Sequence, residues 1–238
     1  MKISVCIATY NGEKYLQEQL SSILKQLNNS DEVIISDDHS TDNTLGVIKS
    51  LNDSRIKIFI NDKEKGYTRN FENALEKASG DIIFLSDQDD VWMDDKVKIS
   101  LENLKNHDMV VCNAELVDSN LNKMNETIFE FRNVKSGFIS NFIQIKYLGC
   151  SMAFKRSILD KSLPFPAKQK LIPHDSWLTL VGEMFYKVKL IEKPLMYYRR
   201  HDNNVSNGGA KSPNPLWKKI QIRLYVLWNL FKITLSGK

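Results

Sequence analysis

Residues 82–92 read IIFLSDQDDVW and place three carboxylates directly after a short apolar run. The run Ile82–Leu85 predicts a buried strand of a parallel sheet, and open α/β sheets bind ligands beyond the carboxyl ends of such strands. Three neighbouring negative charges repel one another unless a cation or hydrogen-bond donors offset them, and a hard divalent metal that also binds phosphate oxygens suits that role. The segment therefore indicates a metal–diphosphate site. An acidic helix N-terminus is the alternative, and this pattern alone does not decide between the two.

The rest of the first half alternates between strand and helix patterns. Strands are predicted over residues 3–8, 32–36, 55–60 and 82–85. Helices are predicted over residues 13–27, 41–51 and 68–78, with Ser40 as the N-cap of the second. Such alternation predicts an α/β fold in which helices cover both faces of a mainly parallel sheet.

The second half has shorter and less regular patterns. Strands are predicted over residues 109–113, 150–154, 188–191 and 196–200. Helices are predicted over residues 138–146, from residue 156 onward, and over residues 175–182. Residues 116–132 are polar and indicate a loop or a hairpin, whereas the proline-rich residues 163–173 indicate a surface loop.

Length and composition limit the class of protein. With 238 residues, 42% of them apolar, the chain is long enough for one large domain with a small appendage. Residues 1–10 enter a strand pattern without the features of a secretory signal, and no stretch has the roughly eighteen apolar residues of a membrane span. Cys6, Cys112 and Cys150 each stand in an apolar setting, which favours buried thiols over disulfides or zinc ligands. A reducing, cytoplasmic location is therefore expected.

The positive charge is concentrated near the C-terminus. The net charge is +4, but no Asp or Glu follows Asp202, and residues 1–202 carry about −2. Residues 217–235 combine Trp, Leu and Ile with Lys and Arg, which is typical of an amphipathic helix on an anionic membrane surface. Docking of that helix on the body of the protein or on a second subunit is the alternative. The body has no basic stripe, so nucleic acid is not an expected partner.

Three polar loops are expected to meet at one edge of the sheet. They follow the first, second and fourth strands and read ATYNGE at 8–13, DDHSTD at 37–42 and DQDD at 87–90. Since the carboxyl ends of parallel strands lie together, these loops predict a nucleotide-diphosphate site, in which Tyr10 would stack on a base. Neither a GxGxxG nor a GxxxxGK[ST] pattern occurs, which disfavours dinucleotide-binding and P-loop folds. The negative charge of the phosphates would then be offset by a metal and by Arg69. The alternative for Arg69 is a solvated cation at the start of a helix.

Ordered motifs between about residue 2 and residue 206 resemble those of the family 2 glycosyltransferases, inverting enzymes with the GT-A fold of nucleotide-diphospho-sugar transferases. The matching segments are IATYN at 7–11, DDHSTD at 37–42, SDQDDVW at 86–92, HDSW at 174–177 and YRRHDNNV at 198–205. His39 stands where Gly or Asn is commoner in the family. The SDQDDVW and HDSW forms are similar to those of rhamnosyltransferases of bacterial surface polysaccharides.

The resemblance implies roles for individual residues. It implies that Asp175 is the general base, and that Asp89 and His201 bind Mg²⁺ or Mn²⁺. The structural alternatives are an N-cap for Asp175 and a loop histidine bonded to backbone for His201. The residues implied for the nucleotide sugar are Ala8, Thr9, Tyr10, Asn11, Glu13, Asp38, Arg69, Asp87 and Gln88. The residues implied for the acceptor are Trp92, His174 and Trp177, the tryptophans being alternatively core residues.

The function implied by the resemblance is a metal-dependent, inverting transfer of one sugar from a nucleotide donor to an acceptor hydroxyl. The first expected donor is dTDP-L-rhamnose, followed by UDP-galactose or a UDP-N-acetylhexosamine. The expected acceptor is a glycan or a lipid-diphosphate-linked sugar at the inner face of the cell membrane. A nucleotidyltransferase and a non-catalytic binding module are the alternatives. Residues 1–206 would form the transferase domain, with a nucleotide half (1–113) and an acceptor half (114–206), and residues 207–238 a hinge and a basic helix.

Overall fold

The computed structural model describes residues 1–201 and 215–235. The strands are β1 (Ile3–Thr9), β2 (Glu32–Asp37), β3 (Ile56–Ile60), β4 (Ile82–Ser86), β5 (Val91–Trp92), β6 (Met109–Val117), β7 (Lys123–Thr127), β8 (Met152–Lys155) and β9 (Val188–Arg199). The helices are α1 (Leu16–Leu24), α2 (Thr44–Ser50), α3 (Tyr67–Lys77), α4 (Lys96–Leu104), α5 (Ile128–Arg132), α6 (Phe138–Ile143), α7 (Arg156–Ser162), α8 (His174–Phe185) and α9 (Leu216–Leu235). Within the described residues, the strands form one sheet in the order β3-β2-β1-β4-β8-β6-β9-β5, with β7 paired to β6.

The first four strands of the chain form the parallel half of the sheet. β1 pairs with β2 on one side and with β4 on the other, and β2 pairs with β3. The register places Thr9 opposite Asp37 and Ile7 opposite Ser86, so the loops after β1, β2 and β4 leave the sheet at one level. The predicted α/β class is confirmed, and the three polar loops share one edge.

The other strands make the sheet mixed. β8 pairs antiparallel with β4 and with β6, whereas β9 runs parallel to β6 and antiparallel to β5. β6 extends past residue 113 to Val117, and residues 188–199 form one strand instead of the two that were predicted. The register shifts around Asn113, whose side-chain amide donates to Glu192 O at 3.1 Å and whose Oδ1 accepts from Ala114 N at 2.8 Å. This side chain replaces ladder hydrogen bonds, so the strands continue past the irregularity.

Two helices, α1 and α2, begin three residues later than predicted. α1 begins at Leu16 instead of residue 13, because the turn before it closes through Tyr15 N and Leu16 N, which both donate to Gly12 O at 3.2 Å. α2 begins at Thr44, and its N-cap position is occupied by Asn43, so the prediction of Ser40 as N-cap was wrong. Ser40 instead donates from Oγ to the Asp37 carboxylate within the loop after β2.

Residues 116–132, predicted as a loop or a hairpin, contain a hairpin, because the end of β6 pairs antiparallel with β7. Helix α5 follows it and begins with a capping box between Thr127 and Glu130. The 163–173 loop is not only a surface loop, because Phe165 and Ile172 in it are buried. The carboxylate of Glu72 accepts from Phe165 N at 2.6 Å and so holds this loop against α3.

Helix α9 packs on the body through one face. Val226 and Leu230 are buried, Tyr225 OH accepts from Lys168 N at 2.9 Å, and Arg223 Nη2 donates to Ile143 O at 2.7 Å. Its other face exposes the apolar side chains of Leu216, Trp217, Ile220, Leu224, Leu227, Trp228, Phe231 and Leu235. No helix of the described residues combines the length and apolar character needed to cross a membrane. Of the 198–205 motif, the structure describes residues 198–201. Of the predicted hinge before α9, it describes residue 215, and the rest lies outside the described residues.

One of the two predicted domain boundaries lies within the described residues, and the other lies outside them. The division between a nucleotide half and an acceptor half at residues 113 and 114 lies inside β6, so both halves share one sheet. The division at residues 206 and 207 lies outside the described residues. The three cysteines are buried and free, as their apolar settings predicted.

Candidate active site

A cleft of about 1110 Å³ opens at the carboxyl edge of β1, β2 and β4. It is lined by the three polar loops, by the start of α3 and by residues between 118 and 201 of the second half. The predicted site residues that line it are Ala8, Thr9, Tyr10, Asn11, Asp38, Asp87, Gln88, Asp89, His174, Asp175 and His201. The structure therefore brings together residues from both halves of the chain.

The first polar loop is held to its two neighbours by hydrogen bonds. Tyr10 N donates to Gln88 Oε1 at 2.9 Å, and Gln88 Nε2 donates to Tyr10 O at 3.0 Å. Asn11 N donates to Ser40 Oγ at 2.9 Å, and Asn11 Oδ1 accepts from Thr41 N at 2.8 Å. The backbone of the loop is thereby fixed, whereas the Tyr10 side chain stays 51% exposed at the cleft. A flat ring in this position is available for stacking on a base.

Two adjacent aspartates end β2 and have different surroundings. Asp37 is fully buried and holds the loop, since its carboxylate accepts from Thr9 Oγ1 at 3.0 Å and from Ser40 N at 2.8 Å. Asp38 lines the cleft, and its carboxylate accepts from Asn61 Nδ2 at 2.8 Å and from Gly66 N at 2.9 Å. Two donors leave part of the acceptor capacity of the Asp38 carboxylate for a ligand.

The carboxylates after β4 lie in surroundings that disfavour negative charge. Burial raises the pKa of Asp87 to about 7, with the charge of Asp89 adding to the effect. Burial, together with the charges of Asp89 and Asp87, raises the pKa of Asp90 well above its usual value. Asp90 Oδ1 accepts from Arg199 N at 3.1 Å, whereas the buried Oδ2 has no hydrogen-bond partner among the described residues. The sequence marked the cluster but did not single out Asp90 as a site residue.

Two further observations bear on metal binding. Oxygens of Asp87 and Asp90 and the Sγ of Cys150 lie within 4.8 Å of one another. His201 Nε2 lies 2.8 Å from Asp89 Oδ2, so the two predicted metal ligands meet although 112 residues separate them. A divalent cation would offset the burial and the mutual repulsion that raise these pKa values, and carboxylate oxygens with imidazole are ligands that Mn²⁺ accepts. The donor set and the unpartnered Asp90 oxygen therefore fit a divalent metal.

The end of β9 is held beside the acidic loop by aromatic and ionic contacts. Tyr15 stacks on His201 with ring centroids 5.0 Å apart, and the Arg199 guanidinium lies 4.5 Å from the centre of the Tyr15 ring. Arg199 also donates from Nε to Asp89 O at 2.8 Å and from Nη2 to Glu18 Oε2 at 2.5 Å. These contacts bring the end of β9 to the loop after β4.

Helix α8 presents Asp175 to the cleft from its first turn. The N-cap position is Pro173, so the carboxylate of Asp175 does not serve as the N-cap. Asp175 Oδ1 accepts from Ser176 N at 2.6 Å and from Ser176 Oγ at 3.2 Å. The charge of Asp175 contributes, after burial and Asp89, to the raised pKa of Asp87, which places the two carboxylates in electrostatic reach across the cleft.

His174 lines the cleft as a buried, neutral side chain. Its ring stacks on Phe71 with centroids 4.2 Å apart, and neither ring nitrogen has a hydrogen-bond partner. Burial lowers its pKa to about 4, although the neighbouring Asp175 charge acts in the opposite direction. A Cβ at Gly149 would lie 2.8 Å from His174 Nε2, so residue 149 must be glycine for the ring to fit as it does.

Four predicted site residues are not among those that line the cleft: Glu13, Arg69, Trp92 and Trp177. The Arg69 guanidinium pairs with Glu72 and donates to Ala167 O at 2.8 Å. The tryptophans belong to the core, with Trp92 Nε1 donating to Ser86 Oγ at 3.2 Å and Trp177 Nε1 to Ser162 O at 2.9 Å. Glu13 accepts from Asn43 N at 2.7 Å and so connects the first two loops.

Several residues of the cleft were not predicted as site residues. They include Lys14, Tyr15, Tyr67, Phe71, Arg132, Tyr198 and Arg200. Tyr198 and Arg200 stand in the 198–205 motif that the sequence did mark, whereas the others come from helices and loops whose orientation depends on tertiary packing. No local pattern distinguishes them from surface or core residues.

The structure is an α/β fold with a carboxylate-lined cleft at the strand ends, and comparison with known proteins gives its family. A sequence profile described as Glycosyl transferase family 2 matches residues 4–163, about two thirds of the chain. The chain belongs to this family and is a glycosyltransferase.

Relatives in the curated sequences span most of the chain. The dTDP-rhamnosyl transferase RfbG of Shigella flexneri is 31% identical and matches 83% of this chain and 72% of its own length. The E. coli UDP-Glc:alpha-D-GlcNAc-diphosphoundecaprenol beta-1,3-glucosyltransferase WfaP is 30% identical and matches 86% of this chain and 79% of its own length. An uncharacterized glycosyltransferase of Nostoc sp. is 28% identical over 89% of this chain and 69% of its own length.

Solved structures share the fold at low sequence identity. S. aureus TarS 1–349 in complex with UDP-GlcNAc superposes with a TM-score of 0.70 at 18% identity, covering 98% of this chain and 73% of that chain. The mannosyltransferase PcManGT of Pyrobaculum calidifontis, in complex with GDP-Man and Mn²⁺, gives a TM-score of 0.65 at 19% identity over 98% of this chain and 73% of that chain. These likenesses confirm the GT-A fold.

Proposed function

We propose that this chain is a metal-dependent, inverting glycosyltransferase that passes one sugar from a nucleotide donor to a hydroxyl of a glycan or lipid-diphosphate-linked acceptor in bacterial surface polysaccharide synthesis. The observation that carries the proposal is the meeting of the three strand-end loops with Asp175 in one cleft. A single displacement needs a donor site and a base on opposite sides of the anomeric carbon, and the strand-end loops and Asp175 line one cleft from the two halves of the chain.

The loops after β1 and β2 are proposed to bind the nucleotide. Tyr10 would stack on the base, and the free acceptor capacity of Asp38 would receive a base N–H. We expect dTDP-L-rhamnose as the first donor to test, since a relative that matches most of the chain is named a dTDP-rhamnosyl transferase. UDP-galactose and UDP-N-acetylhexosamines follow, because other relatives and structural neighbours are named for UDP-sugars.

The metal is proposed to be Mg²⁺ or Mn²⁺, held by Asp89 and His201. Asp87 and Asp90 would surround it with further negative charge, which is consistent with their raised pKa values in its absence. When bound, such a cation neutralises the charge that the leaving nucleoside diphosphate develops. Gln88 bonds to the backbone of Tyr10 and so keeps the acidic loop aligned with the nucleotide loop.

Asp175 is proposed as the general base. Its carboxylate would take the proton of an acceptor hydroxyl while that oxygen forms a bond to the anomeric carbon and the bond to the diphosphate oxygen breaks. Because the attacking oxygen enters opposite the leaving group, the configuration at the anomeric carbon inverts. The hydrogen bonds from Ser176 leave Asp175 Oδ2 available for this contact.

Replacement of Asp175 tests the proposal. We expect Asp175→Asn to bind nucleotide sugar as the wild type does. Its kcat should fall by a factor of about 10²–10⁴, the range typical of a general base. Asp160→Asn, which changes an exposed carboxylate of α7 outside the cleft, is the matched control and should keep full activity. Turnover of Asp175→Asn at the wild-type rate would show that another group accepts the proton.

Family membership decides against a nucleotidyltransferase. A non-catalytic binding module differs from the enzyme in one measurable respect. It would show donor binding without transfer in the wild type, and Asp175→Asn would change nothing. Transfer of radiolabelled sugar to an extract of membrane lipid-linked glycans, compared between wild type and Asp175→Asn, separates the two.

Helix α9 is proposed to bind an anionic membrane surface, placing the enzyme on the inner face of the membrane. Its exposed face carries large apolar side chains, the half-buried Lys218 and Lys219 and the exposed Lys232 belong to the same helix, and no acid occurs in it. Charge complementarity favours anionic lipid over a second protein subunit as the occupant. The exposed Ile139 and Ile143 of α6 extend the same surface, because Arg223 connects α9 to Ile143 O.

A further inference from the structure

The cleft contains two arginines that have no carboxylate partner in the structure. Arg132 ends α5 and Arg200 follows β9, and both line the cleft on its second-half side. Among the described residues, no acid lies within ion-pair distance of either guanidinium, and neither donates a hydrogen bond to a protein oxygen. Two charged groups with five donors each are therefore available to a ligand.

The other arginines are all occupied. Their guanidinium groups pair with carboxylates or donate to backbone carbonyls in every other case, namely Arg55, Arg69, Arg156, Arg199 and Arg223. The contrast is sharpest between Arg199 and Arg200, which are neighbours in sequence. The Arg199 side chain reaches Glu18 and Tyr15, whereas the Arg200 side chain lies on the opposite side, 5.4 Å from the centre of the Phe131 ring.

The two arginines share one end of the cleft. Besides the cleft, both line a small adjoining hollow together with the apolar side chains of Leu148 and Phe131. Arg200 N donates to Val117 O at 2.8 Å, which fixes the backbone from which its side chain extends. The acid at this end, Asp118, is engaged locally, since its carboxylate accepts from Asn120 N at 2.8 Å and from Asn122 N at 2.9 Å.

The geometry points to Arg132 and Arg200 as a binding site for a diphosphate group of the acceptor. Guanidinium groups bind carboxylate or phosphate oxygens with two parallel hydrogen bonds each, and a diphosphate is the anion that the proposed acceptor would bring to this cleft. The inference rests on the proposed function, because it assigns this end of the cleft to the acceptor. The donor's diphosphate is proposed to bind at the acidic loop after β4, so its binding has to be measured separately.

The surroundings favour a diphosphate that carries an apolar chain. Ile145 and Leu148 line the cleft on the same side as the arginines. Lys146 Nζ donates to Asn133 O at 2.6 Å, and Asn141 Nδ2 donates to Lys135 O at 3.2 Å, so α6 is held next to the end of α5 that carries Arg132. We expect a lipid chain attached to the diphosphate to leave the cleft toward the exposed apolar residues of α6 and α9.

The test measures binding of farnesyl diphosphate to the full chain in EDTA, by isothermal titration calorimetry, with farnesol as the probe that lacks phosphate. We expect the double variant R132Q/R200Q to bind farnesyl diphosphate at least about tenfold more weakly, since charge-assisted hydrogen bonds are lost, and to bind farnesol unchanged. Lys135→Gln, an exposed cation next to α5 but not lining the cleft, is the control and should bind like the wild type. Equal affinity of wild type and double variant for farnesyl diphosphate would overturn the proposal.

A second arm distinguishes the acceptor's diphosphate from the donor's. Binding of UDP and dTDP in the presence of Mn²⁺ should be the same in R132Q/R200Q and the wild type, and a parallel loss would assign the arginines to the donor instead. The variant R132K/R200K keeps both charges and guards against loss of folding. It should bind farnesyl diphosphate better than R132Q/R200Q, and equal loss in both would overturn recognition by charge.

The outcome is separable from that of the reaction itself. Arginine-dependent binding of farnesyl diphosphate by a wild type that transfers no sugar would count against the proposed reaction and leave this site in place. An active wild type whose farnesyl diphosphate binding ignores both arginines would overturn the site alone.

Discussion

The aspartates of this cleft have different roles because their surroundings differ. Asp37 is buried among donors and holds a loop, whereas Asp38 keeps part of its acceptor capacity for a ligand. Asp90 is buried with an unpartnered oxygen, and Asp89 meets an imidazole from the other end of the chain. The spacing of acids in the sequence identifies the cluster, but the partners of each carboxylate decide its chemistry.

Asp89→Ala should abolish metal-dependent donor binding. We expect the wild type to select one nucleotide sugar in Mn²⁺ or Mg²⁺ and to lose that selection in EDTA, and the variant to behave in every metal as the wild type does in EDTA. A screen of donor hydrolysis and binding by calorimetry measures this. Asp94→Ala removes an exposed carboxylate that pairs with Lys25 outside the cleft, and it should behave as the wild type. Metal-stimulated binding that survives in Asp89→Ala would remove Asp89 from the metal site.

His174 should make stability depend on pH in a specific range. Its pKa is about 4 in the folded protein against 6.5 in the unfolded chain, so the unfolded state binds a proton first as the pH falls. Unfolding free energy is therefore lost between pH 6.5 and pH 4, by about 2–3 kcal/mol at pH 4.5. Urea unfolding of wild type and His174→Gln at pH 7 and pH 4.5 measures it. We expect the difference in unfolding free energy between wild type and His174→Gln to change by about 2–3 kcal/mol between the two pH values. An equal difference at both pH values would contradict the prediction.

At the scale of elements, the edge of the sheet opposite the cleft is held by one buried carboxylate. Glu32 begins β2 and accepts from Ser4 Oγ at 2.6 Å, Lys57 Nζ at 2.7 Å and Ser79 N at 2.7 Å. Burial by itself raises the pKa of Glu32, but these hydrogen bonds and one from Lys2 outweigh it and leave the pKa lowered. The carboxylate thus connects β1, β2, β3 and the turn before β4.

Glu32→Gln should destabilise the fold without changing the transferase activity. We expect a loss of about 2 kcal/mol in unfolding free energy at pH 7, discounted because both lysine partners are partly solvated. Since the folded pKa is lowered, this stabilisation is present above the unfolded pKa of about 4.5 and is lost as the pH falls below it. Urea unfolding at pH 7 and pH 3 tests both statements. Glu102→Gln, which breaks an exposed pair with Lys105, should change stability by less than about 0.5 kcal/mol.

At the scale of the whole molecule, one face of α9 and the exposed side of α6 form an apolar surface bordered by cations. The variant W228E/F231E should reduce flotation with vesicles that contain phosphatidylglycerol, because it places charge in the apolar face. Vesicles of phosphatidylcholine alone should bind the wild type more weakly, since the cations lose their partner. Both residues are about half exposed, so the fold should tolerate the change.

Met124→Glu is the matched control for the vesicle experiment. Met124 is an exposed apolar residue of β7, and its replacement adds the same charge away from α9. Nucleotide binding should be unchanged in all three proteins. Flotation of W228E/F231E equal to that of the wild type would exclude α9 as the membrane contact.

Part of the site was predictable because it depends on local pattern. The strand patterns and the loops after β1, β2 and β4 lie within short windows of sequence, and parallel pairing then places their ends at one edge. The residues Tyr10, Asp38 and Asp89 follow from that rule. Trp92 and Arg69 were also predicted as site residues, but neither lines the cleft. Trp92 packs in the core, and Arg69 pairs with Glu72.

The sequence by itself determined the α/β class, the parallel half and the acidic loop, since hydrophobic period and turn residues act between near neighbours. Tertiary structure alone decided which charged groups are free. Arg69 is occupied by a carbonyl 98 residues away, whereas Arg132 and Arg200 are left open to the cleft. It also decided that His201 meets Asp89 across 112 residues. Such contacts depend on how β9 and α8 pack against the sheet, and no local window of sequence contains that information.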